Sequence, residues 1–88
     1  MTIPFFPTFS AHDDTIGGRL SLARDAAQLS TEIVTAKLGI SALVWSYWEN
    51  DRDEPPENYL DPIASILGVT RNWLTTGRGD GPTDIYLQ

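Results

Sequence analysis

Apolar residues recur every three or four positions along much of the chain, which is the spacing of helices that bury one face. Within residues 29–50, Val34 and Leu38 lie four positions apart, and Trp45 and Trp48 lie three apart. Each pair therefore occupies one face of a short helix. Because two helices this short are not stable alone, we expect both to pack on neighbouring segments through these apolar faces.

Serine and glycine residues indicate where these two helices begin and end. Ser30 and Ser41 directly precede the two apolar segments. A serine hydroxyl at such a position accepts a hydrogen bond from a backbone amide that has no partner within the helix. Gly39 lies between the segments, where a helix end favours a residue that tolerates a left-handed conformation. The pattern predicts two helices joined by a tight turn.

Three further helices are predicted around this pair. The first spans about residues 15–28 and has a buried stripe with spacings of four, three and four. The residues of this stripe are Ile16, Leu20, Ala23 and Ala27. The last spans residues 71–76, with Thr70 as its cap and with Trp73 and Leu74 in the core.

The remaining helix contains a proline. It starts after Pro56 and ends at Gly68, and Pro62 falls between them. A proline inside a helix removes a hydrogen bond and clashes with the preceding turn. Two outcomes are open: a kinked helix, or a turn over residues 57–60 followed by a new helix that Asp61 caps. We expect the second, because it puts Pro62 at a first helical position, where proline is favoured.

The order of these motifs resembles that of a known family. The chain contains LSTEIVTAKLGIS, then WEN, then EPPENYLDPIASILGVTRNWLTTGRG, a series similar to the lambda-repressor-like (Xre, Cro/repressor-type) helix-turn-helix domain. The resemblance extends over about residues 16–79 without a gap. It implies a compact, all-α, five-helix domain over residues 15–79. An apolar, proline-containing N-terminal arm (1–14) precedes this domain, and a C-terminal tail (80–88) follows it.

The resemblance also implies a function. In this family the second helix of the motif enters the major groove of double-stranded DNA, and residues near its start contact base edges. The residues at those positions in this chain are Ala42, Leu43, Ser46 and Tyr47. The implied function is that of a sequence-specific transcriptional regulator, acting as a homodimer on a pseudo-palindromic operator with half-sites about 34 Å apart.

Other positions acquire expected roles from the same resemblance. The expected phosphate-contacting residues are Thr31, Lys37, Ser41 and Arg52, with Arg19 and Arg71 as further candidates. Family members also have an ion pair at the positions of Arg24 and Glu49, which ties the first helix to the end of the DNA-contacting helix. In that case Arg24 is structural and does not contact DNA.

Charge and side-chain chemistry leave an alternative open. The net charge of −6 opposes binding to phosphate unless the basic residues are grouped. All six basic residues lie within residues 15–79, but eight acidic residues lie there too, which leaves −2. The DNA-contacting helix has no Lys or Arg. The same fold could instead be a protein–protein interaction module, whose exposed Ile33, Ala42, Leu43 and Tyr47 bind a protein partner. In a third interpretation, Leu43 and Tyr47 fold back over the core.

Several function classes are not expected. The chain has no cysteine, and its single histidine, His12, has too few neighbouring ligands for a metal site. Gly17 and Gly18 do not have the spacing of a phosphate-binding loop, and no catalytic set is recognisable, so neither an enzyme nor a cofactor is expected. The apolar runs are too short to cross a membrane, and residues 1–14 lack the basic start of a signal peptide. A cytoplasmic location is expected.

Overall fold

The computed structural model describes residues 15–82, and these residues form five helices and no strand. The helices are α1 (Ile16–Ala26), α2 (Thr31–Leu38), α3 (Ala42–Glu49), α4 (Glu57–Leu67) and α5 (Arg71–Thr76). The prediction of an all-helical arrangement with five helices is confirmed for this part of the chain. The expected N-terminal arm with His12, and residues 83–88 of the tail, lie outside the described residues.

The helix ends follow local sequence. Hydroxyl oxygens at four helix starts accept hydrogen bonds of 3.0–3.1 Å from backbone amides three residues further on. The four capping residues are Thr15, Ser30, Ser41 and Thr70. Three helices end at a glycine with positive φ, namely Gly39, Gly68 and Gly77. These caps satisfy backbone groups that the helices leave unpaired, so the ends are determined by neighbours in sequence.

Helix α4 is continuous, and the expectation of a new helix start at Asp61 is wrong. Pro62 lies inside this helix, and its side chain is exposed. Leu60 precedes the proline and Ile63 follows it, yet both are buried. An unbroken helix keeps both residues on the core side, and their packing offsets the hydrogen bond that Pro62 cannot donate. The solvent side is also where a helix bends most readily, which accommodates the ring.

The core lies beneath α3 and receives side chains from every helix. The largest fully buried side chains are those of Trp45, Leu20, Ile63, Leu74 and Val34. Trp48 packs edge-on against Trp45, with ring centroids 6.0 Å apart, and against Tyr59 of α4 at 5.5 Å. Two tryptophans on one side of an eight-residue helix therefore anchor α3 to the rest of the protein, and its opposite side is left to solvent.

The start of α1 touches the end of α3 at Gly17. A Cβ atom on Gly17 would lie 2.5 Å from the carbonyl oxygen of Trp48 and 2.6 Å from Oδ1 of Asp51. Asp51 has a φ of 61°, and its carboxylate accepts hydrogen bonds from Oγ1 of Thr15 at 2.7 Å and from the amide of Gly17 at 3.0 Å. The loop after α3 thus caps the start of α1 and fixes the two helices against each other.

Gly17→Ala is expected to lower the free energy of unfolding by about 1–3 kcal/mol, because the new methyl group clashes with a backbone carbonyl that cannot move freely. Alanine favours a helix over glycine by about 1 kcal/mol, so a loss in stability would have to come from the steric clash. Urea unfolding followed by circular dichroism measures it. Gly18→Ala, one position along the same helix, is the matched control. Equal stability of the two variants would contradict the close approach at Gly17.

Candidate nucleic-acid interface

Helices α2 and α3 are joined by only three residues, 39–41. The backbone amides of Gly39 and Ile40 both donate to the carbonyl oxygen of Thr35, at 2.8 Å and 3.1 Å. Gly39 is left-handed, and Ser41 then caps α3. This hydrogen-bonded turn holds the start of α3 close to the end of α2.

One side of α3 is exposed along the whole helix. The four expected base-contacting residues are all exposed, and we call them the α3 face: Ala42, Leu43, Ser46 and Tyr47. Spacings of three and four residues put them on one surface. Leu43 is 60% exposed and Tyr47 is 40% exposed. The interpretation in which these two side chains fold back over the core is therefore wrong.

The α3 face is largely apolar. Its hydrogen-bonding side chains are those of Ser46 and Tyr47. Nδ2 of Asn50 donates to the carbonyl oxygen of Ser46 at 2.8 Å and to its hydroxyl at 3.4 Å, which holds Asn50 against the helix. Within residues 15–82, the large apolar side chains that are exposed all belong to α2 and α3: Ile33, Leu43, Val44 and Tyr47.

Lys37 and Arg52 are the two basic residues expected to contact phosphate, and both are exposed. Their side chains form no ion pair within residues 15–82. The backbone amide of Arg52 donates to the carbonyl oxygen of Tyr47 at 2.9 Å, which places Arg52 beside the last turn of α3. Thr31 is half-buried at the start of α2, and the Ser41 hydroxyl accepts a hydrogen bond from the amide of Val44.

The two further phosphate candidates are engaged within the protein. Arg19 is buried, and its Nε donates to the carbonyl oxygen of Leu74 at 2.7 Å, so the expectation that Arg19 contacts phosphate is wrong. The guanidinium group of Arg71 lies 2.6 Å from Glu57 and 3.4 Å from Asp61. This pairing joins α5 to α4 and compensates the charge of Arg71.

Arg24 and Glu49 form the ion pair that the resemblance implied. Nε and Nη2 of Arg24 contact the two carboxylate oxygens of Glu49 at 2.6 Å and 3.2 Å, and Nη1 donates to the carbonyl oxygen of Leu29 at 3.1 Å. The hydrogen bond with Glu49 is the main cause that raises the pKa of Arg24 above its ordinary value, so the guanidinium group stays charged.

Trp45 is a third member of this network, which the sequence reasoning missed. Its Nε1 donates to Oε2 of Glu49 at 2.6 Å. The only signal in the sequence was the four-residue spacing between Trp45 and Glu49, which equally fits two residues with unrelated roles. The network joins α1 to the last turn of α3 and so sets the orientation of the α3 face.

No family model, curated protein or solved structure matches this chain. Within residues 15–82, no helix is long and apolar enough to cross a membrane, and no group of carboxylates or histidines is arranged to hold a metal ion. The α3 face and the residues around it are therefore the features from which a function is inferred.

Proposed function

We propose that this protein is a sequence-specific DNA-binding transcriptional regulator in which α2 and α3 form a helix-turn-helix. One observation carries the proposal: all four expected base-contacting residues are exposed on one side of α3, while Trp45 and Trp48 anchor its other side. A helix that is packed against the core on one side and exposed on the other can enter the major groove, which is about 12 Å wide.

Phosphate contacts in this proposal come from the groups around the α3 face. Lys37 and Arg52 contribute positive charge, and the starts of α2 and α3 contribute backbone amides near Thr31 and Ser41. So few basic residues give weak non-specific binding, and its affinity falls with salt along a shallow slope because few counterions are released. A homodimer with two copies of α3 about 34 Å apart, on a pseudo-palindromic operator, adds the affinity that one protomer lacks.

Selection from a pool of random duplexes tests the proposal directly. The full chain is incubated with the pool at low salt and, in parallel, near physiological salt, and bound DNA is sequenced over several rounds. We expect a palindromic motif that persists at the higher salt. Enrichment that disappears with salt, or no enrichment, would contradict sequence-specific recognition.

Tyr47→Ala is expected to weaken binding to the selected duplex about tenfold, because a phenol hydroxyl and an aromatic contact on the α3 face are lost. Fluorescence anisotropy measures the affinity, and circular dichroism checks folding. Ser65→Ala is the control, since Ser65 is an exposed residue of α4 outside the α3 face. A Tyr47→Ala variant that binds as tightly as the original protein would remove Tyr47 from the interface.

A protein–protein interaction module is the second candidate function. It is favoured by the large exposed apolar side chains, which within residues 15–82 are confined to α2 and α3, and by the net charge of −6. Salt dependence separates the two candidates. If DNA is the ligand, each of Lys37→Ala and Arg52→Ala lowers the slope of log affinity against log salt by about one. If an apolar protein surface is the ligand, neither variant changes that slope.

A further inference from the structure

The α3 face lacks the side chains that usually distinguish bases by hydrogen bonds. Guanine is usually contacted by Arg or Lys and adenine by Asn or Gln, while a carboxylate accepts from cytosine. Residues 42–49 contain no Arg, Lys, Asn or Gln. The one carboxylate of α3, on Glu49, is held by Arg24 and Trp45 at 2.6 Å each. The amide nitrogen of Asn50 is held by Ser46.

Apolar contact is the main chemistry that remains. Leu43 is exposed beside Ala42, and Tyr47 lies one turn further along the helix. The apolar group that base edges present in the major groove is the methyl group at C5 of thymine. A methyl group at C5 of cytosine occupies the same position on the pyrimidine ring and points into the same groove.

From this chemistry we propose that Leu43, supported by Ala42, recognises the C5-methyl group of pyrimidines, so that 5-methylcytosine substitutes for thymine at the contacted position. This inference rests on the proposed DNA-binding function and names what the α3 face recognises. Binding then responds to DNA modification: cytosine methylation within a half-site increases affinity for this protein.

The small number of available basic residues makes the effect of a single methyl contact on affinity measurable. Of the basic residues expected to contact phosphate, only Lys37 and Arg52 are exposed and make no ion pair within residues 15–82. Phosphate contacts position a protein without distinguishing sequences. With few phosphate contacts, each base contact contributes a larger share of the total free energy of binding. Burial of one methyl group against an apolar side chain changes affinity about fourfold.

The test uses synthetic versions of the duplex recovered by selection. Deoxyuridine replaces thymine at one position at a time, which removes a single methyl group and leaves the hydrogen-bonding groups unchanged. We expect a loss of affinity of about fourfold at one or two positions in each half-site and no change elsewhere. At the same positions, a 5-methylcytosine–guanine pair is expected to bind about fourfold more tightly than a cytosine–guanine pair.

Two variants assign the effect to Leu43. Leu43→Ala is expected to bind thymine and deoxyuridine duplexes equally, whereas Ser46→Ala keeps the fourfold difference. Both residues are exposed, and circular dichroism verifies that both variants fold. If removing or adding a C5-methyl group at any position of the selected motif leaves the affinity unchanged, this inference is overturned and the proposed function is not. Failure to select any motif would overturn both.

Discussion

Trp48→Ala is expected to lower the free energy of unfolding by about 3–5 kcal/mol, as large truncations in a core do. Trp48 is 3% exposed, and its ring contacts those of Trp45 and Tyr59. Alanine would leave a cavity between α3 and α4 that the neighbouring rings cannot fill without rearrangement. Urea unfolding followed by far-ultraviolet circular dichroism is the suitable measurement, because it does not depend on tryptophan fluorescence.

Tyr47→Ala is the matched control for this experiment, since it removes an aromatic ring from the next position of the same helix. Tyr47 is on the α3 face, so we expect its loss to change stability by less than about 1 kcal/mol. The pair of variants separates anchoring from recognition: Trp48 holds α3 in place and Tyr47 serves the proposed interface. An unchanged unfolding midpoint for Trp48→Ala would refute its position in the core.

Glu49→Ala is expected to lower the free energy of unfolding by about 3 kcal/mol, because it removes the acceptor of three hydrogen bonds. The charged group of Arg24, which is largely shielded from water, would lose its partner, and the fully buried indole of Trp45 would keep an N–H group with no acceptor. Chemical unfolding measures the loss. Because this network orients α3, the proposed DNA binding is also expected to weaken.

Three further variants test this expectation. Glu49→Gln retains one acceptor oxygen and should cost less than Glu49→Ala. The double variant Arg24→Met with Glu49→Leu should be more stable than Glu49→Leu alone, because both leave the indole of Trp45 without its acceptor but only the single variant also leaves the charge of Arg24 without its partner. Glu54→Ala removes an exposed carboxylate from the loop after α3 and should change stability little. If Glu49→Ala lowered the free energy of unfolding no more than Glu54→Ala does, the network of Arg24, Trp45 and Glu49 would not stabilise the fold.

Local sequence was enough to predict most helix boundaries. A serine or threonine cap acts on an amide three residues away, and a glycine end closes a bond to a carbonyl four residues back. Helix α1 ends at Ala26 instead of near residue 28, and Ala27, which was expected in its buried stripe, is exposed. Helix α4 was the larger exception. The local preference of Pro62 favours a helix start, and it was outweighed by the burial of Leu60 and Ile63, which depends on distant segments.

The residues of the α3 face were named from the resemblance, and their exposure agrees with their spacing from the buried Trp45 and Trp48 along one helix. The roles of the basic residues were not predictable in the same way. Arg19 and Arg24 are both on α1 and look alike in sequence, and only the resemblance indicated a partner for Arg24. In the structure, Arg19 bonds to a residue 55 positions away and Arg24 to one 25 positions away.

The sequence alone thus determined the number of helices, nearly all of their ends and the composition of the α3 face, since each of these depends on residues within about one helical turn. Tertiary structure decided the continuity of α4, the close approach of α1 and α3 at Gly17, and which basic side chains remain exposed. These features depend on contacts between residues tens of positions apart, such as the 34 positions between Gly17 and Asp51, and no local pattern specifies them.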